Sequence, residues 1–159
     1  MRVLVTGGRN FTDREFVFAT MDRIEKESGK TFRGLIHGCA NGLDEIARQW
    51  QSERIKKLEE YFKTLRAFDP KRSLRTPRNN ELWIHGFPAQ WDDLETPPVV
   101  LRYRADGTPY NAAAGGIRNQ KMVDYGAELG VSFPGGRGTY DCTSRMRKAG
   151  IPVIEVAYG

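Results

Sequence analysis

Three times along this chain a short apolar run breaks into glycine. Residues 2–6 lead into Gly7-Gly8-Arg9, residues 34–37 into Gly38-Cys39-Ala40-Asn41-Gly42, and residues 129–133 into Pro134-Gly135-Gly136-Arg137-Gly138-Thr139. Runs of four to eight apolar residues closed by turn formers read as buried strands. Behind each lies a stretch whose apolar residues return every three or four positions, the signature of a helix with one covered face. Strand and helix in alternation leave few solutions. The spacing predicts an α/β fold, Rossmann-like, with a mostly parallel sheet of about five strands and helices on both faces.

The other elements follow the same logic. Thr12-Asp13-Arg14-Glu15 has the spacing of a capping box with Thr12 as the cap, and Ser28-Gly29 marks the end of that first helix. Leu43, Ile46, Ala47, Trp50, Leu58, Tyr61, Phe62 and Leu65 trace a long second helix that Asp69-Pro70 ends. Residues 81–85 and 151–156 supply the remaining strands. Gly115-Gly116 opens a third helix, and a fourth runs from the Thr139 region, with Thr139 as its cap, to Gly150. Two segments fall outside this alternation: a basic one near 55–80, and one near 92–110 that carries Pro97-Pro98, a strand-like run and the turn Ala105-Asp106-Gly107-Thr108, enough for a small hairpin. At 159 residues the whole chain, 1–159, is expected to be one domain with these two insertions.

Charge separates the basic segment from the rest. The net charge is +5, yet nine basic and only three acidic residues lie between Arg54 and Arg78, and the remainder is close to neutral. That segment is either a solvated face or a surface for a polyanion or an acidic partner. No run nears the roughly 18 apolar residues of a membrane span, and the opening lacks a signal-peptide core, so a cytoplasmic protein without membrane contact is expected. Cys39 and Cys142 are too few for a disulfide framework and are expected to be reduced. His37 and His85, at strand ends, lack partners at ligand spacing, so neither a metal nor a cofactor is expected.

In an open parallel sheet the loops after the strands gather at the carboxyl edge, where ligands bind beside the reversal in strand order. Glycine lets backbone approach a ligand, and the first turn of a following helix offers N–H groups to phosphate or carboxylate. The candidate ligand-binding residues are therefore Gly7, Gly8, Arg9 and Asn10 from the first loop, Gly38, Cys39, Ala40, Asn41, Gly42 and Asp44 from the second, and Pro134, Gly135, Gly136, Arg137, Gly138 and Thr139 from the third. The alternatives are structural: Asn10 and Asn41 as turn residues, Thr139 as a helix cap only. The chain contains no Gly-x-x-x-x-Gly-Lys-Ser/Thr sequence and no Gly-x-Gly-x-x-Gly after the first strand, which argues against a P-loop triphosphatase and an ordinary dinucleotide dehydrogenase.

Residues 134–139 resemble the Pro-Gly-Gly-x-Gly-Thr motif of the SLOG superfamily, which includes the Lonely Guy phosphoribohydrolases and the DprA proteins. Residues 7–13, 38–44, 87–91 and 118–122 resemble more particularly its YspA, cpYpsA-related branch, common in bacteria and phages. The resemblance implies a Rossmann-like fold whose pocket takes a nucleotide or a nucleotide-derived molecule such as an ADP-ribose-like ligand, and it adds Arg118 and Asn119 to the candidate site. It also implies a homodimer or higher homo-oligomer, in keeping with the apolar residues Leu58, Tyr61, Phe62 and Leu65. Lonely Guy enzymes cleave nucleoside monophosphates with an Arg-x-x-x-Met element, matched here by Arg118 and Met122, and with a glutamate three residues past the motif threonine. Cys142 stands in that place. A neutral thiol does little for the positive charge that develops on ribose as an N-glycosidic bond breaks. Asp141, one residue earlier, is rotated by about 100° on a helix and is expected to face elsewhere; Asp44 is the other carboxylate available.

The leading expectation is thus a binding protein for a phosphorylated nucleotide-like ligand, one that senses or sequesters a nucleotide signal. Arg118 and Arg9 would meet phosphate or ribose, unless Arg118 is spent pairing with Asp44 or Asp141. The alternative is a phosphoribohydrolase in which Arg118, Asp44 and Asp141 act on a nucleoside monophosphate. A third possibility is a single-stranded nucleic-acid binder using Lys71, Arg72, Arg75 and Arg78, with Trp83, Trp91, Tyr103 and Tyr110 as stacking faces.

Overall fold

A computed structural model describes residues 1–69 and 81–159. Five strands form one parallel sheet in the order β3-β2-β1-β6-β7: β1 (Arg2–Thr6), β2 (Gly34–His37), β3 (Trp83–Gly86), β6 (Leu129–Ser132) and β7 (Val153–Glu155). The order is set by connections. From β1 the chain steps outward through α1 (Arg14–Ser28) to β2 and through α2 (Leu43–Phe68) to β3, then returns past β1 to place β6 on its other side. Between β3 and β6 stand an antiparallel hairpin, β4 (Leu101–Tyr103) with β5 (Pro109–Asn111), and α3 (Ala114–Tyr125); α4 (Arg137–Lys148) joins β6 to β7. The α/β, Rossmann-like expectation and the small hairpin both hold.

Alternation along the strands sorts the core into two layers. Val3, Val5, Leu35 and Val131 point to one face and pack with Val17, Met21 and Ile24 of α1 and Leu43, Ala47 and Trp50 of α2. Leu4 and Ile36 point to the other and meet Met122 and Val123 of α3 and Cys142 and Met146 of α4. Two helices per face is the arrangement that right-handed crossovers in both directions from β1 produce.

Two of the expected caps are not where the sequence placed them. The N-cap of α1 is Asp13, not Thr12: Asp13 Oδ1 accepts from the Phe16 N–H at 2.9 Å, and Asp13 Oδ2 accepts from the Tyr158 hydroxyl at 3.0 Å. A carboxylate with two oxygens cap and anchor at once, which the Thr12 hydroxyl cannot do. At α4 the N-cap is Gly136, so Thr139 lies inside the first turn and no side chain caps the helix. Gly29, in the left-handed conformation, ends α1 as expected.

Helix α2 changes character along its length. Leu43, Ile46, Ala47, Trp50 and Gln51 are buried, and the Gln51 amide donates to the carbonyls of Arg33 (2.9 Å) and of Phe32 and Trp83 (both 3.3 Å), tying the helix to the starts of β2 and β3. Beyond Arg54, which pairs with Glu25 at 2.6 Å, Leu58, Phe62 and Leu65 are only half-buried and Tyr61 and Phe68 are exposed. Lys71, Arg72, Arg75 and Arg78 of the basic segment lie outside the described residues. Among the described residues no helix is long and apolar enough to cross a membrane.

Candidate functional site

Parallel strands all end at one edge, and the reversal of direction at β1 and β6 splays the loops that follow them. A cavity of about 1320 Å³ opens there. The first loop contributes Gly7, Gly8, Arg9 and Asn10, and the third contributes residues 134–139. Arg118 and Asn119 enter from α3, Asp141 and Arg145 from α4, and Ala40 and Asp44 from the second loop and the start of α2. Gly38, Cys39 and Asn41 face instead a smaller adjoining hollow of about 280 Å³, shared with Arg9, Trp91 and Arg118. Gly42 serves as the N-cap of α2, packed beneath the backbone of Gly8 and Arg9.

The second loop is closed on itself. Buried Asp44 accepts through Oδ2 from the N–H groups of Gly38 (3.0 Å) and Ala40 (3.1 Å), and the Cys39 N–H donates to His37 Nδ1 at 3.2 Å. The Arg118 guanidinium packs against Gly38, where a Cβ would fall 2.0 Å from its Nη1, and donates to the Gly38 carbonyl. Burial raises Asp44 above the ordinary carboxylate range against the pull of these hydrogen bonds and of Arg118. Burial, with Arg48 and Arg118 nearby, lowers His37 to about 4, so its Nδ1 stays a bare acceptor. His37 Nδ1 and Asp44 Oδ2 therefore hold the backbone of the second loop.

The third loop and the helix starts are open. Gly8 N–H is spent on the Pro134 carbonyl at 2.9 Å. By contrast, the N–H groups of residues 135–139 at the start of α4, and of Ala114, Gly115 and Gly116 at the start of α3, donate to no group among the described residues. Neither helix has a capping side chain. Glycine is required where the loop folds tightest: a Cβ on Gly135 would sit 2.1 Å from Thr139 Oγ1 and 2.8 Å from Gly8 N. The first-turn N–H groups of a helix carry much of its positive pole, and two such poles converge on one cavity.

Side-chain charge adds to them. Arg9, Arg118, Lys121, Arg137 and Arg145 line the cavity against Asp44 and Asp141. Arg118 forms no ion pair with either acid, contrary to the simplest structural reading of it; its Nε donates to Asn119 Oδ1 at 2.9 Å. Asp141 is the one of the two acids that pairs with an arginine, accepting from Arg145 Nε at 2.8 Å and from Asn119 Nδ2 at 2.9 Å. Burial works to raise Asp141, but these two hydrogen bonds prevail and hold it below the usual range. Arg145 is braced further by Gln120 Oε1 at 2.8 Å.

The expected orientation of Asp141 is overturned. Asp141 lines the cavity, and Cys142 is the residue turned away, fully buried against Leu4 and Met122 with its thiol pushed up to about 11 by burial. The rotation between neighbours was right; the helix is simply set with 141 toward the opening. Arg145, Gly115 and Gly116 were not foreseen as lining residues. Their signals were an arginine four positions after Asp141 and a helix start without Ser, Thr, Asp or Asn.

The model of the YspA, cpYpsA-related SLOG family matches residues 1–62, which hold the first two loops. The Gene 61 protein of Mycobacterium phage D29 is 32% identical over 157 residues, covering 96% of this chain and 94% of that protein. The chain belongs to the YspA, cpYpsA-related SLOG family. No solved structure matches it. Membership of this SLOG family agrees with the parallel sheet and puts the carboxyl-edge cavity in a family associated with nucleotide-related ligands.

Proposed function

We propose that this chain binds a nucleotide or nucleotide-derived small molecule, an ADP-ribose-like compound or a nucleoside phosphate, by its phosphate. The observation that carries this reading is the convergence of two uncapped helix starts, α3 and α4, on one cavity lined by arginines. Phosphate suits such a place because it accepts several short hydrogen bonds at once and is stabilised by the helix poles. Residues 135–139 and Gly115-Gly116 supply backbone donors, Arg137 and Arg118 supply planar forks, and Arg145 is aimed by Asp141 and Gln120. Gly7, Gly8, Asn10, Asn119 and Thr139 shape the walls. The second loop keeps the position of Arg118. The role that fits is sensing or sequestering a nucleotide signal.

Thermal denaturation of the full chain with adenosine, adenosine monophosphate and ADP-ribose tests the reading. A phosphorylated ligand at a hundred times its Kd adds about 2.7 kcal/mol, several degrees for a domain of this size. Adenosine should add far less, and Arg137→Ala should diminish the effect of both phosphorylated ligands. Equal stabilisation by adenosine, or none by any of the three, refutes it.

One observation favours a second reading. Asp141 faces the cavity as an ionised carboxylate, the group that cleavage of an N-glycosidic bond calls for. Its bonds to Arg145 and Asn119 already neutralise it in part, so binding is the better-supported function. Release of adenine from adenosine monophosphate, lost in Asp141→Asn, would reverse that order.

A further inference from the structure

The large cavity continues into a second hollow. Arg9 and Trp91 line both, and Tyr103, Arg104 and Tyr110 complete the second, of about 440 Å³. Tyr103 and Tyr110 come from hairpin β4–β5, which lies outside the strand-helix alternation of the sheet. Trp91 and Tyr110 stand 6.4 Å apart at 62°, Arg9 lies 5.4 Å over the Trp91 ring, and Arg104 lies 5.3 Å over Tyr110. Tyr103 is 65% exposed, which the core gains nothing from.

The hairpin is fixed to the phosphate cradle. Buried Asn111 accepts from the N–H groups of Val100 and Ala113, both at 3.0 Å, its amide donates to Pro98 O at 3.1 Å, and its backbone N–H donates to Trp91 O at 2.7 Å. Helix α3 starts three residues later, so the aromatic hollow is held in register with Gly115 and Gly116. Arg104 is braced by Asp92 at 2.9 Å and Pro109 O at 3.0 Å, which leaves its face on Tyr110 rather than adrift in solvent.

We propose that this hollow is a second subsite that stacks a nucleobase, and that the ligand carries two planar bases joined through phosphate. The proposal rests on the phosphate reading of the cradle. Aromatic faces interleaved with guanidinium groups are the chemistry that holds a base of any identity. Size points the same way. Small-molecule pockets commonly enclose roughly 300–1000 Å³, and the main cavity alone exceeds that range. One nucleoside monophosphate leaves much of this space unused, and the adjoining hollow at Trp91 and Tyr103, about 440 Å³, has room for a second base.

Calorimetric titration of the full chain with adenosine monophosphate and with diadenosine diphosphate separates the two claims. The dinucleotide should bind at least tenfold more tightly than the mononucleotide, and Tyr103→Ala, an exposed position, should bring that ratio close to one. Trp91 gives an independent signal: the dinucleotide should quench tryptophan fluorescence more than the mononucleotide does, and Trp91→Phe should remove the difference. Similar affinities for the two ligands, or a ratio untouched by Tyr103→Ala, overturn the second subsite and leave the cradle standing. Failure of both to bind removes the cradle and the subsite together. A single-stranded oligothymidylate that binds more tightly than the dinucleotide, with no loss in Arg137→Ala, makes the hollow a nucleic-acid face and overturns the proposal.

Discussion

The second and third glycine loops look alike in sequence and do opposite things. Residues 38–40 spend their N–H groups on Asp44 and His37, and the first carbonyl of the loop goes to Arg118. Residues 135–139 spend none on any described residue, because Gly136 stands where a Ser, Thr or Asp would cap α4. A glycine loop becomes a receptor when its donors are left over and a scaffold when a neighbouring side chain has taken them. Asp44, six residues after Gly38, makes that difference here.

The comparison is most severely tested by removing Asp44. Asp44→Ala leaves two buried or half-buried N–H groups without a partner, at about 1–3 kcal/mol each, so a loss on the order of 4 kcal/mol is expected in urea unfolding. Asp44→Asn, which keeps one oxygen, should lose clearly less. Acid attacks the same loop. His37 lies at about 4 when folded against 6.5 unfolded, so between these values the unfolded chain binds the extra proton and stability falls as pH is lowered. Its contribution is complete above pH 6.5 and is lost as pH falls through 4, about 3 kcal/mol in all. His37→Gln should flatten that part of the stability profile; an unchanged slope would show that His37 titrates normally.

Changes in the third loop should cost less stability and more binding. Gly135→Ala drives a Cβ into Thr139 and Gly8, and overpacking of this kind costs about 1–3 kcal/mol; denaturation without ligand should show it, and titration with adenosine monophosphate should show weakened binding. Arg137→Ala should alter folding by less than about 0.5 kcal/mol, since its exposed side chain bonds to no group among the described residues. Its affinity for adenosine monophosphate should nonetheless drop about tenfold, roughly 1.4 kcal/mol. A large folding loss in Arg137→Ala would erase the contrast between the loops.

The sheet was legible because β1, β2 and β6 are short apolar runs with glycine immediately behind, a pattern that burial on both faces imposes. The caps were not, since Thr12 and Asp13 are both good candidates and only the arrival of Tyr158 from the far end of the chain selects the carboxylate. The candidate residues of the first and third loops do share one cavity with Arg118 and Asn119, because strand order alone brings them there. The sequence could not say which donors remain free: that depends on Asp44 folding back over Gly38 and on the rotation of α4 that turns Asp141 and Arg145 inward. Trp83, on β3 at the sheet's edge, likewise read as a stacking face, but its ring covers Gly34 and meets Tyr125 at the end of α3, whereas Trp91 faces Arg9.

The long return from β3 to β6 crosses the carboxyl edge of the sheet without being part of it. Its ends are pinned by strand pairing, and chain added between pinned ends costs only about 0.6 kcal/mol for each doubling of length. Hairpins of different reach and composition can therefore be spliced into this one crossing while all five strands keep their register. Relatives with the same sheet would then differ in what they accept chiefly through a detachable brim, and ligand preference could drift by exchange of a single segment.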